Sequence, residues 1–217
     1  MDHHVDLYWS FRSPYSYLVV PRLIELERDW QARVTVRPVL PIAVRQPEFF
    51  AHADPLWASY LMRDCVRCAE FAGLPLRWPR PDPVAMDYAT RTYPKEQPHI
   101  HRLTRIGQLA AEQGKGLALL RAVSHLIWSG EVDGWHEGDH LARAVASAGF
   151  DLAELDAAQE AEAVRLDAAI AANEAAHRAG GHYGVPLMVY DGEPFFGQDR
   201  FDQLLWRMKQ KGLERRV

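Results

Sequence analysis

Val5-Asp6-Leu7-Tyr8-Trp9-Ser10-Phe11-Arg12-Ser13-Pro14-Tyr15-Ser16-Tyr17-Leu18 is the stretch that decides how this chain is read. Val5 to Trp9 is an apolar and aromatic run of strand length. Ser10 to Ser13 is a polar loop. Pro14 stands where a helix opens, because proline is tolerated in the first helical turn. The helix continues through Tyr17, Leu18, Leu23, Ile24 and Leu26. Ser13 therefore falls at a strand-to-helix junction. Free backbone amides and the positive end of the helix dipole converge there, and both favour an anion.

A thioredoxin-type protein keeps its redox cysteines at this junction, in the pattern Cys-Pro-x-Cys. The same four positions here read Ser13-Pro14-Tyr15-Ser16, and neither serine can form a disulfide. The setting that remains is a hydroxyl donor at a helix N-terminus, suited to holding the thiolate of a bound cofactor. By itself the serine reads first as a helix N-cap, a very common role.

Outward from this stretch, Arg33-Val34-Thr35-Val36-Arg37-Pro38-Val39-Leu40 reads as a second strand. Strand, helix and strand of this length predict one right-handed crossover with parallel strands. Residues 41–55 hold Pro41, Pro47 and Pro55 and read as irregular. Apolar spacing predicts a helix over 56–72, ended by Gly73. Residues 75–83 contain four prolines and read as an ordered loop. Further helices are predicted over 98–113, 117–129, 137–148 and 158–178, punctuated by Gly114, Gly116, Gly130 and Gly149.

Strand character returns at Val185-Pro186-Leu187-Met188-Val189-Tyr190. Asp191-Gly192 is a hairpin turn, and Pro194-Phe195-Phe196 is a short second strand. A closing helix spans 199–211. The order β-α-β, helical block, β-β-α predicts an α/β thioredoxin-like core, residues 1–40 and 182–217, interrupted by an all-helical insertion over 41–181.

Composition narrows the classes. The chain has 217 residues, 48% of them hydrophobic, enough for a full core without disulfide staples. A net charge of -4 argues against a nucleic-acid surface. Two cysteines are too few for a secreted disulfide framework. The N-terminal Met1-Asp2-His3-His4-Val5-Asp6 has no basic region followed by an apolar run, so no signal peptide is visible. No apolar stretch approaches a membrane span. A soluble protein of a reducing compartment, the cytoplasm, is expected.

Two further points carry chemistry. Pro186 follows Gly184-Val185 at a strand start, which fits a cis bond in a turn or an ordinary trans proline. In a thioredoxin core this proline faces the helix junction and leaves the preceding backbone to pair with an extended peptide. In Phe196-Gly197-Gln198-Asp199-Arg200, Asp199 either caps the last helix or projects a carboxylate toward a ligand's ammonium group.

Two other patterns carry less. Cys65-Val66-Arg67-Cys68 lies inside a predicted helix, whereas redox pairs sit at helix N-termini. It reads as core cysteines and lacks a partner pair for structural zinc. His136-Glu137-Gly138-Asp139-His140 matches the zinc-protease pattern, but glycines crowd it and a helix is expected to start within it. No metal is expected.

Taken together, Ser13-Pro14-Tyr15-Ser16-Tyr17-Leu18, Tyr183-Gly184-Val185-Pro186 and Phe195-Phe196-Gly197-Gln198-Asp199-Arg200 resemble 2-hydroxychromene-2-carboxylate isomerases. These are DsbA-like relatives of kappa-class glutathione transferases. Tyr60, Arg63-Asp64, Arg67 and Gly73-Leu74-Pro75-Leu76-Arg77-Trp78-Pro79 extend the resemblance over nearly the whole chain. It implies glutathione as cofactor, with Ser13 as the catalytic residue holding its sulfur. It implies backbone contact from Val185 beside a cis Pro186, and Gln198 and Asp199 at the γ-glutamyl end. It also implies an aromatic substrate, reversible thiolate addition with bond rotation, and a homodimer. The chain departs from the pattern at Pro83 to Asp87, at Leu187 where threonine is common, and before Tyr60, where Arg45 or Gln46 are the candidates for the glycyl carboxylate. The same residues suit a kappa-type transferase or a DsbA-like thiol-ligand binding protein without turnover. The absence of cysteine at 13 and 16 argues against a protein disulfide oxidoreductase.

Overall fold

The computed structural model describes residues 3–87, 90 and 92–216. Met1 and Asp2, which entered the reading of the N-terminus, lie outside the described residues. The chain opens with β1 (His3–Trp9), α1 (Pro14–Asp29) and β2 (Ala32–Pro38). A helical stretch follows: α2 (Ile42–Arg45), α3 (Phe49–His52), α4 (Pro55–Ala72), α5 (Ile100–Glu112), α6 (Gly116–Trp128), α7 (His140–Ser147), α8 (Leu152–Ala161) and α9 (Ala163–Ala179). It closes with β3 (Leu187–Tyr190), β4 (Glu193–Phe196), a 3₁₀ turn (Gln198–Arg200) and α10 (Phe201–Gln210).

The four strands form one sheet in the order β2-β1-β3-β4. β1 runs parallel to β2, in register from His3 opposite Ala32 to Trp9 opposite Pro38. It runs antiparallel to β3, with Leu7 opposite Met188. β3 and β4 are a hairpin, turned at Asp191 (φ 51°) and Gly192 (φ 79°). Two consecutive left-handed residues are what a two-residue turn needs to match the strand twist, which explains Asp-Gly there. This is the thioredoxin-like arrangement, with the helical insertion between β2 and β3.

Strand alternation sorts the residues of β1. Val5, Leu7 and Trp9 enter a large apolar cluster with Leu23, Ile100, Leu103, Ile106, Leu119, Leu120 and Val123. Tyr8 points the other way, to Val39 and Leu187, with Ala176 and Val185 packed beside them. The insertion is thus part of the same core as the sheet. α5, α6 and α9 all pack on β2, and α1 packs on α6. Gly116 stands at the boundary between α5 and α6, as expected, and it also has a packing role. It opens α6, where an added Cβ would lie 2.8 Å from Val36, so its role is the close approach of α6 to β2.

Other boundaries differ too. Residues 41–55, expected to be irregular, hold the two short helices α2 and α3. The single helix expected over 158–178 is two, α8 and α9, meeting at Glu162. Asp151 caps α8 by accepting the Glu154 amide at 3.1 Å. Asp-x-x-Glu is a capping signature, and the alanine-rich run after it masked the break. The first residues of the closing helix, expected from 199, are a 3₁₀ turn instead.

Candidate functional site

Ser13 ends the four-residue loop that leaves β1. Its backbone is extended, and its Oγ accepts the Ser16 amide at 3.1 Å, the ordinary N-cap bond. The hydroxyl also donates to the Val185 carbonyl, 3.3 Å away and 172 residues later in the chain. Ser13 is therefore both a cap and a contact to the strand β3. The Val185–Pro186 bond is cis. No acidic residue sits in the first turn of α1, whose dipole has its positive end there. The Tyr15 amide lies in that turn, where helical amides have no intrahelical acceptor.

The hairpin brings the remaining two predicted residues to the same end of the sheet. The Gly197 amide donates to the Pro186 carbonyl at 2.9 Å, extending the β3–β4 ladder by one bond. Gly197 has φ 96°, and a Cβ there would lie 2.5 Å from Asp199 Oδ1. Only glycine permits this turn with Asp199 folded back over it. Asp199 does not cap α10: its carboxylate makes no capping bond and pairs with Arg200 at 2.7 Å, with more than half of its surface exposed. The capping alternative is thereby removed. α1 packs against this turn.

α4 lies along the α1 side of the site. Tyr15, inside the Ser-Pro-Tyr-Ser stretch, donates to Asp64 at 2.7 Å. Asp64 also accepts from Tyr60 at 3.2 Å and Arg67 at 3.0 Å. These bonds, the Tyr15 bond foremost, hold its carboxyl below the usual carboxylate range. Cys68, one turn on, accepts from Gln198 Nε2 at 3.4 Å. Burial first, then the Asp64 charge, pushes the Cys68 thiol up to about 11. Burial also raises the buried Cys65. Both thiols are protonated near neutrality and sit inside a helix, unlike a redox pair. Sequence reasoning missed that Cys68 borders the site, since nothing local in 65–68 points toward residue 198.

An aromatic belt borders the other side. Phe49 meets Trp57 and Tyr183, each with ring centres 5.9 Å apart. Phe50 meets Trp57 at 5.8 Å and Tyr93 at 5.6 Å. His182 stacks on Tyr183 at 4.7 Å and on Phe196 at 3.7 Å. Arg12, the neighbour of Ser13, lies 5.7 Å from the Phe50 and Tyr93 ring centres and is held in a bidentate pair by Asp82, Nε on Oδ1 and Nη2 on Oδ2. The belt so runs from the neighbour of Ser13 to the neighbours of Val185. Its rings come from four separate segments, residues 49–57, 93, 182–183 and 196, so no local pattern announces it.

Arg45 spends its guanidinium on the Leu40 carbonyl (2.7 Å) and the Tyr183 carbonyl (3.0 Å). His136 and His140 do not share a helical face. His136 precedes α7 and packs against His99 and Trp135, while His140 is the first residue of α7. Among the described residues no group of three or more His, Cys, Asp or Glu is placed to hold a metal ion. Among them, too, no helix is long and apolar enough to cross a membrane.

Behind the Val185–Pro186 turn lies His177 of α9, fully buried and stacked on Tyr8 at 5.1 Å. Its Nε2 donates to the Gly184 carbonyl at 2.9 Å, and its buried Nδ1 has no partner. Burial pushes its pKa down to about 4, with the Arg45, His182 and Arg178 charges adding to the shift. Between the ordinary histidine pKa of about 6.5 and this value, the unfolded chain binds a proton that the folded chain does not. Stability therefore falls as pH falls through that window, by about 1.4 kcal/mol per unit of pKa difference. Urea unfolding at neutral pH and at pH 4.5 should show a smaller loss for His177→Gln than for wild type. Equal losses would put the proton uptake elsewhere.

The profile of the DSBA-like thioredoxin domain family matches residues 4–209, and the chain belongs to that family. Among solved structures it is similar to a 2-hydroxychromene-2-carboxylate isomerase, with 22% identity, 95% of each chain covered and a TM-score of 0.68. It is also similar to the cytosolic disulfide reductase DsbM from Pseudomonas aeruginosa, with 18% identity, coverage of 95% of this chain and 99% of that one, and a TM-score of 0.57. A structure of DsbM with GSH matches at 17% identity over 95% of this chain and 99% of that one, with a TM-score of 0.54. At these identities the likeness is one of fold. A search of curated proteins returns no match.

Proposed function

We propose that the chain is a cytoplasmic, glutathione-dependent isomerase of a 2-hydroxychromene-2-carboxylate-like aromatic compound, acting as a homodimer. The observation that carries this reading is the contact of the Ser13 hydroxyl, at the N-terminus of α1, with the carbonyl of Val185 beside the cis Pro186. It sets a donor for a thiolate next to backbone suited to an extended peptide.

The donor set fits glutathione at its reactive and γ-glutamyl ends. Ser13 offers a hydroxyl, Val185 a backbone edge, and Gln198 and Asp199 an amide and an exposed carboxylate for the ammonium. Arg45, considered for the glycyl carboxylate, is committed to two backbone carbonyls, which leaves Gln46 as the candidate for that end. When bound, glutathione supplies the thiol that adds to a conjugated carbon of the substrate and leaves again after bond rotation. The protein's part is orientation and electrostatics. Ser13 turns its hydroxyl from Val185 to the sulfur, and the dipole of α1 favours the anion. Pro186 shapes the turn that presents Val185. The belt of Phe49, Phe50, Trp57 and Tyr183 offers ring faces to a planar substrate.

Calorimetric titration of glutathione at neutral pH tests the site. Asp199→Ala should weaken binding by about tenfold, or 1.4 kcal/mol. Absence of binding to wild type would remove the cofactor and the mechanism with it. Product analysis then separates chemistries, because an isomerase regenerates glutathione and a kappa-type transferase consumes it. Binding with no turnover on any aromatic substrate would leave a thiol-ligand binding protein, and reduction of insulin would turn the reading to a disulfide oxidoreductase.

A further inference from the structure

The peptide segment just before the cis proline is held from three directions. The Gly184 amide donates to His182 Nδ1 at 2.9 Å. Its carbonyl accepts from His177 Nε2 at 2.9 Å. The carbonyl of Tyr183 accepts from Arg45 Nη2 at 3.0 Å. The donor and acceptor roles determine both tautomers: His177 carries its proton on Nε2, and His182 keeps Nδ1 unprotonated. Residue 184 has no room for a side chain, since an added Cβ would lie 2.6 Å from the Phe196 ring. That ring is stacked on His182, centre to centre 3.7 Å, so it fixes the imidazole plane as it presses on Gly184.

The bond from His182 to the amide two residues on has the connectivity of an Asx turn, with imidazole Nδ1 in place of a side-chain oxygen. Such a bond orders the short loop just ahead of β3, whose ladder begins at the Pro186 carbonyl and Leu187. Val185 lies between the clamped glycine and the proline.

We propose that His182 is a positioning residue for the ligand's peptide backbone, clamping Gly184 together with His177 so that Val185 is presented at a fixed angle. The inference rests on the glutathione reading for the identity of the ligand, while the clamp itself is a property of this chain. Neither histidine touches the reacting atoms; both act through Val185.

The experiment compares wild type, His182→Ala and His182→Asn in calorimetric titrations with glutathione, and follows the Gly184 amide in each by hydrogen exchange. His182 is half-buried, so its alanine variant folds without a core cavity. Asparagine restores an acceptor at the same reach, in the ordinary Asx geometry. Alanine should weaken glutathione binding by about fivefold to tenfold, the size of one net hydrogen bond, and asparagine should recover most of it. Gly184 exchange should rise in the alanine variant and stay low in the other two. Equal affinity in wild type and alanine, or equal loss in alanine and asparagine, would overturn the positioning role. Should wild type bind no glutathione, the cofactor reading fails by itself. The clamp is then judged on exchange alone: protection in wild type and asparagine but not alanine supports it, and equal exchange in all three overturns it.

Discussion

Ser13→Ala should lower kcat/KM for the proposed glutathione-dependent reaction by about two to three orders of magnitude, the cost of removing one aimed donor from a developing or resident anion. The hydroxyl is the side-chain donor that the structure places between the N-terminus of α1 and the Val185 carbonyl. Two consequences need separating. The variant loses a helix cap, which costs about 1 kcal/mol of stability. It also releases the Ser16 amide, which Ser13 Oγ now accepts, and that amide can turn to the sulfur and offset part of the loss. The direct readout is the thiolate absorbance of bound glutathione as a function of pH. Its pKa should rise by about one to two units in Ser13→Ala, each unit being about 1.4 kcal/mol, and Ser13→Thr should stay near wild type. An unchanged thiolate pKa in the alanine variant would assign the stabilisation to the helix terminus and leave Ser13 as a cap.

Trp128→Ala should be the most destabilising single change outside the site, by about 3–5 kcal/mol. Trp128 ends α6 and is fully buried, with its ring edge-on to Trp78 at 5.2 Å. Its Nε1 donates to the carbonyl of Phe11, itself buried, at 2.9 Å. Truncation leaves a large cavity and an orphaned carbonyl two residues before Ser13. Trp128→Phe separates the two terms: most of the ring volume stays, the donor goes, and about 1–2 kcal/mol should be lost. Urea midpoints at constant m-value measure both. The alanine variant should also weaken the proposed glutathione binding, because this bond is one of several that hold the loop from β1 to α1. Equal stability of the phenylalanine variant and wild type would show that the indole bond carries no net weight.

Local chemistry made much of this protein legible. Ser13 before Pro14 is a helix start by the ordinary capping rules, and the structure has the cap bond. Asp191-Gly192 is a turn because few residue pairs tolerate two left-handed conformations in succession. Gly73 ends α4 as expected. Elsewhere local rules compete. Alanine favours helix everywhere, so the run after 158 concealed the junction at Glu162. Gly116 marks the helix boundary its residue type predicts, but its packing against Val36, 80 residues away, is not encoded locally.

The order β-α-β, helices, β-β-α is written locally, because each element's periodicity and caps lie within about a dozen residues. The sequence also set the hydroxyl where a thiol would otherwise stand. Only the tertiary structure decided which of these residues meet. The pairing of β1 with β3 puts Val185 against Ser13 across 172 positions. The packing of α4 brings Cys68 to Gln198, and that of α9 brings His177 to Gly184. Such contacts depend on burial of a shared core and on strand register, and both are properties of the whole chain.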